Sequence, residues 1–375
     1  MNKDAANPDQ YGASRILWLL FCLFISAAGT SHAMVPSSHE PEKNAVVTPV
    51  LPVARNIQFT RITPWDGLSQ AGVNAIAQDQ HGMVWLGTQE GLNRYDGYEM
   101  VVFEHVSGDT TSLSHDWVWS LLVDSVGTLW IGTDGGGLNR HNRADDTFTA
   151  YRHDPENPRS ISSDRIRVLY QDARGNFWIG TDGGGLNRFD PERGEFTHFK
   201  HKDSESDSLP GNTVLAIHED SKGKLWVGTD KGLARMDQIR GKFVNYRHDA
   251  AQPGSLSNDQ VRSIYEDRRG QIWIGTYEGG LNLFDRSSDS FRHFRHDPAN
   301  PSSLSHDRVR DIYQDRQGTL WVATDNGLNE YRPEQNSFIR YEHDPADPST
   351  ISDNRLTTIF QDKGNVLWVG SYNGV

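Results

Sequence analysis

Tryptophan recurs along this chain at a nearly fixed interval, at Trp85, Trp130, Trp178, Trp226, Trp273, Trp321 and Trp368, with gaps of 45, 48, 48, 47, 48 and 47 residues. Such a period marks a repeat architecture, in which each unit buries its apolar face only against its neighbours. The surrounding text is respelled each time, as QDARGNFWIGTDGGGLNRFD around Trp178 and EDRRGQIWIGTYEGGLNLFD around Trp273. The seventh copy stops in mid-repeat, at Val375.

Each unit reads as four short strands, a to d. Strand a runs up to an Asp six residues before the Trp, strand b carries the Trp and a Gly-Thr pair, strand c is the Gly-Leu-Asn-Arg stretch, and strand d is an aromatic run such as residues 196–199. Three residues after the Asp sits Gly82, Gly127, Gly175, Gly223, Gly270 or Gly318. A three-residue hairpin requires positive φ at that point, which glycine adopts without steric cost. The seventh copy has Asn365 there, and Asn is among the few other residues that visit this conformation. Gly, Pro and Asp punctuate the chain too often for the three- and four-residue apolar spacing of a helical solenoid. The expected fold is therefore all-β, a seven-bladed β-propeller of four-stranded antiparallel blades over residues 56–375, with the last blade incomplete at the C-terminus. Residues 59–62 align with strand d at residues 338–341 but have no a, b or c of their own. They are expected to complete the last blade and remove an open sheet edge.

The N-terminus is a separate matter. Residues 16–28 form an apolar run of 13 residues after Lys3 and Arg15, followed by the small-x-small pattern Ser31-His32-Ala33. That run is too short for a bilayer-spanning helix, so residues 1–33 read as a secretory signal peptide, which directs the mature chain to the periplasm. The only cysteine, Cys22, lies within it, so the mature chain is expected to hold no disulfide. Residues 34–55, with Pro36, Pro41, Pro49 and Pro52, read as an extended linker.

The formal net charge is −13, and residues 1–33 contribute Lys3, Arg15, Asp4 and Asp9, which cancel. A chain so acidic offers no clustered cations for phosphate backbones, which excludes nucleic acid as a partner. The Gly runs at residues 135–137 and 183–185 lead from strand to strand rather than from strand to helix, so they read as hairpin turns and not as phosphate loops. His153, His201, His248, His296 and His343 recur just past strand d. With strands about 4.8 Å apart, neighbouring copies stand roughly 17 Å from each other, whereas zinc holds its ligands at about 2 Å. No metal and no cofactor are expected.

The repeat DxxGxxWhGT, with GLNRYD and the opening Asp66-Gly67-Leu68-Ser69, resembles the two-component regulator propeller family over residues 57–375. The resemblance implies a periplasmic sensor region whose parent carries a membrane helix and an output module, a histidine kinase or a diguanylate cyclase. Self-association and membrane contact are expected only through such downstream segments. The chain itself is expected to bind a small molecule or glycan rather than to catalyse a reaction. The alternatives are a secreted propeller enzyme, a polysaccharide or lactone lyase or hydrolase, and a protein-interaction scaffold.

Loops on a rigid scaffold usually carry binding, which directs attention to the face with the long crossings between blades, such as residues 152–164 and 295–307. Near that face the second residue of strand a varies while its flanks barely change: Asn74, Trp119, Arg167, Leu215, Arg262, Arg310 and Thr357 in blades 1 to 7. Arg167, Arg262 and Arg310 would form a positive mouth suited to carboxylate or sulfate, and Trp117 with Trp119 would offer a stacking surface for a sugar ring. Tyr277, in the b–c turn of blade 5, completes the candidate ligand site. The alternative is that the arginines pair with Asp164, Asp259 and Asp307 and serve only the fold.

Overall fold

The computed structural model describes residues 57–375, and in it the expected turns form as the residues dictate. The six turn glycines have φ between 70° and 91°, and Asn365 has φ 71°. The Asp that opens each turn does more than shape it. One carboxylate oxygen accepts turn N–H groups, and the other accepts the indole N–H of the Trp six residues on, at 2.8–3.2 Å in all seven copies. The spacing of Asp and Trp thus fixes a buried clamp as well as a hairpin.

Among the described residues six antiparallel sheets are complete, each in the order a-b-c-d. Blade 3 is typical: Ile166–Gln171, Phe177–Thr181, Leu186–Asp190 and Glu195–Phe199. Each Trp packs against the following blade. Trp178 lies with Val214, Leu225 and Met236 of blade 4, and Trp273 with Leu320, Val322 and Phe338 of blade 6. The apolar core is therefore a ring of seams rather than one central cluster.

Hydrogen bonds repeat at those seams on both faces. On one face the glycine that starts strand c donates to the next blade's crossing, as Gly185 to Asn212 at 2.8 Å and Gly280 to Asp307 at 2.9 Å. On the other face the a–b turn donates to a Gln or Glu near the end of the next strand a: Ser125 to Gln171, Ala173 to Glu219, Arg268 to Gln314 and Arg316 to Gln361. Blade 7 closes onto blade 1 by the same two bonds, Gly374 to the Ala71 carbonyl at 2.6 Å and Lys363 to Gln78 at 2.7 Å. Trp368 packs in the closing seam with Ile76, Val84 and Leu86.

Seven complete blades are not present among the described residues. Blade 7 is a two-stranded sheet, Leu356–Gln361 with Leu367–Ser371, because only Gly374 and Val375 stand where strand c begins. Residues 57–62 form no assigned strand, yet they occupy the outer-strand place. Ile62 and Val375 exchange backbone hydrogen bonds at 2.8 and 3.1 Å. Phe59 donates to the Ser349 carbonyl at 2.8 Å, as Phe338 does to Ser302. Arg61 donates to the carbonyls of Thr350 and Ile351, matching Arg340 on Ser303 and Leu304. A cavity of about 440 Å³ separates residues 57–62 from Leu367, Trp368 and Val369, which leaves Leu367 and Trp368 only half-buried.

The recurrent histidines serve the crossings. In His153, His201, His248, His296 and His343, Nδ1 lies 2.6–2.9 Å from a carbonyl oxygen eight residues on. The Gly runs join strand b to strand c in blades 2 and 3, as expected of hairpins. The expected signal peptide, Cys22 and the linker lie outside the described residues.

Candidate functional site

In six blades the register of strand a against strand b slips between its first and third residues, as between Val261 and Ser263 or Val309 and Asp311. The second residue is thus a β-bulge, an extra residue outside the ladder whose side chain is re-aimed. The six bulged residues and Asn74, their counterpart in blade 1, line one cavity of about 340 Å³ in the centre of the ring, together with Asp311 and Tyr372. The variable positions singled out in the sequence therefore meet at one site.

The charges there are unequal. Arg167 Nη2 lies 2.6 Å from Asp182 Oδ2, and Arg310 grips Asp325 through Nε at 2.6 Å and Nη2 at 3.1 Å. Both acids follow the Gly-Thr or Ala-Thr pair of strand b in their own blades. Blade 5 has Tyr277 at that place, and Arg262 stands over its ring at 4.9 Å. Among the described residues Arg262 forms no ion pair, and its buried Nε has no hydrogen-bond partner. Burial first, and then Arg310 and Arg167, lower its pKa from the ordinary arginine value. A desolvated guanidinium that lacks a counter-charge is costly, and an incoming anion would relieve that cost.

The expected partners were the wrong acids. Asp164, Asp259 and Asp307 instead accept the backbone N–H of His153, His248 and His296, at 2.6–2.7 Å. Trp117 and Trp119 stack at 5.3 Å and 26°, and Arg167 lies over Trp119 at 4.5 Å. Much of the Trp119 ring is thus already in contact with protein. Both indole N–H groups are buried without hydrogen-bond partners among the described residues. Tyr277 gathers Arg308 and Arg310 as well as Arg262, at 4.7 and 5.6 Å. The sequence reading missed Asp182, Asp325, Asp311 and Tyr372. The first two were marked by their place after the strand b threonine, where Tyr277 is the exception among the arginine-bearing blades.

Radial four-stranded blades around one asymmetric cavity define a β-propeller built to present a ring of variable side chains. The chain carries repeats of the two-component regulator propeller family, matched at residues 67–90, 112–135, 160–183, 208–231, 255–278 and 303–326. It is 29% identical to the extracellular domain of a hybrid two-component system, BT3049, from B. thetaiotaomicron, with a TM-score of 0.73 over 85% of this chain and 41% of that one. The extracellular domain of the one-component system BT4673 from the same organism is similar at 25% identity and TM-score 0.67, over 84% of this chain and 39% of that one. A 59-residue stretch, 16% of this chain and 4% of the other, is 44% identical to histidine kinase P4 of Formosa agariphila. The chain thus spans about two fifths of those two solved chains and a small part of the kinase. Virginiamycin B lyase from Staphylococcus aureus, at 15% identity and TM-score 0.61 over 84% of this chain and 96% of that one, shares the fold alone.

Proposed function

We propose that this chain is the ligand-sensing propeller of a membrane signal-transduction receptor, exported to the periplasm, with the central cavity as its site for an acidic or carbohydrate ligand. In this reading the seven blades act as one closed ring without catalysis, and the parent's output is a histidine kinase or a diguanylate cyclase. The extracellular domains similar to it support the location, and they belong to two-component and one-component systems. One observation carries the site: Arg262 is a partly buried guanidinium with no carboxylate partner among the described residues, in a wall where Arg167 and Arg310 have theirs.

The test is calorimetric titration of the wild type and Arg262→Ala with a panel of acidic and neutral glycans. The variant is expected to lose roughly 1.5–3 kcal/mol of binding to an acidic glycan, the size of a desolvated charge-assisted contact. Arg310→Ala should lose less, since Asp325 already occupies its guanidinium. Equal binding of an acidic glycan by wild type and Arg262→Ala would remove the site.

A further inference from the structure

The charge of the cavity wall can be counted, and the count rests on the reading of this cavity as an anion site. Asp182 and Asp325 match Arg167 and Arg310, and Arg262 is unmatched. One more carboxylate belongs to the wall. The third residue of strand a is neutral in six blades, Ala75, Ser120, Val168, Ala216, Ser263 and Thr358, but blade 6 has Asp311. Neighbours on both sides hold it. Its Oδ1 accepts from Ser263 Oγ of blade 5 at 3.3 Å and from its own neighbour Ile312 N at 2.8 Å. Its Oδ2 accepts from Ile359 N at 2.8 Å and Thr358 Oγ1 at 3.2 Å of blade 7.

The ionisable groups around Asp311 are few. Blade 5 offers Arg262, next in sequence to Ser263, with Tyr277 beneath its guanidinium. Blade 6 offers Arg310, already bound to Asp325, and blade 7 offers Tyr372 at the rim. Burial pushes the Asp311 carboxyl up to about 6, against the hydrogen bonds that favour its ionised form. At neutral pH the cavity therefore holds one unmatched cation, Arg262, and one half-buried anion, Asp311, and the second charge offsets the attraction of the first for an arriving carboxylate. Once Asp311 is neutral, Arg262 is the one uncompensated charge among the residues that line the cavity.

We propose that the cavity takes up a monoanionic carboxylate ligand together with one proton from solvent, Arg262 receiving the ligand's carboxylate and Asp311 the proton. A single unmatched guanidinium selects one negative charge rather than two. The coupling is reciprocal: a bound anion disfavours ionised Asp311, and protonated Asp311 strengthens anion binding by the same factor. Affinity is therefore highest below the Asp311 pKa and falls as pH rises through it, by about tenfold for each unit by which the ligand raises that pKa.

The experiment is isothermal titration of this chain with D-glucuronate between about pH 5 and pH 7.5, where the probe stays ionised, in two buffers of different ionisation enthalpy. Methyl glucoside serves as the neutral control. The wild type is expected to bind glucuronate about tenfold more tightly at the acid end and to take up a proton in mid-range. Asp311→Asn should bind with little pH dependence, and Arg262→Ala should bind weakly throughout. Binding by the wild type without pH dependence or proton uptake overturns the coupling and leaves the anion site standing. Equal binding by wild type and Arg262→Ala overturns the anion site itself, and no glucuronate binding at any pH overturns the ligand class. If Asp311→Asn fails to fold, proton uptake by the wild type still decides.

Discussion

Removing residues 57–62 is expected to lower the melting temperature of this chain by about 10 °C. The segment supplies Ile57 and Phe59 to the seam between blades 6 and 7, and Ile62 to the seam between blades 7 and 1. All three are half-buried, so together they contribute about 3–5 kcal/mol by the usual area rule, and each kcal/mol moves the midpoint of a domain this large by a few degrees. The Arg61 bonds to the blade 7 crossing would vanish with them. Differential scanning calorimetry of the shortened chain measures the effect. An unchanged midpoint would mean that the segment lies on the ring without closing it.

Trp273→Ala is expected to cost about 3–5 kcal/mol, the range for an aromatic core residue cut back to alanine. Trp273 is fully buried, touches Phe294 and Tyr331, and donates to Asp267 at 2.9 Å. Its loss leaves both a cavity and a buried carboxylate oxygen without its donor. Trp273→Phe separates the two effects: most of the ring remains and the donor goes, so about 1–3 kcal/mol should be lost. The same alanine change at Trp368 should cost visibly less, since that side chain is only half-buried beside the incomplete blade. Denaturant unfolding of the three variants checks the order, and equal losses at Trp273 and Trp368 would refute the seam argument.

Much of the architecture was legible because period and turn chemistry are local. The Asp and Gly of each hairpin lie within four residues of each other, and Asn365 obeyed the same rule. The outer-strand role of residues 59–62 was readable from their likeness to residues 338–341. The gap beside them was less so, since it depends on a strand that these residues do not form. The cavity-lining positions were found from their variation, but their partners were not. Arg167 and Asp182 are 15 residues apart, and whether they meet depends on the bulge in strand a, which no residue type announces. Asp311 escaped notice because Asp is common in the repeat, and only its hydrogen bonds to blades 5 and 7 make it unusual. Trp119 lines the cavity, but its contacts with Trp117 and Arg167 followed from side-chain packing that spacing does not encode.

The bulge has an evolutionary consequence. A residue outside the ladder can change without disturbing the hydrogen bonds on either side of it, so the residues that line the cavity are mechanically decoupled from those that hold the ring. Six blades in effect carry one free letter each, set beside a word that must stay constant. A lineage of such propellers can therefore respell its cavity one blade at a time, with each intermediate still folded, and a designer could exchange the same letters without repairing the scaffold.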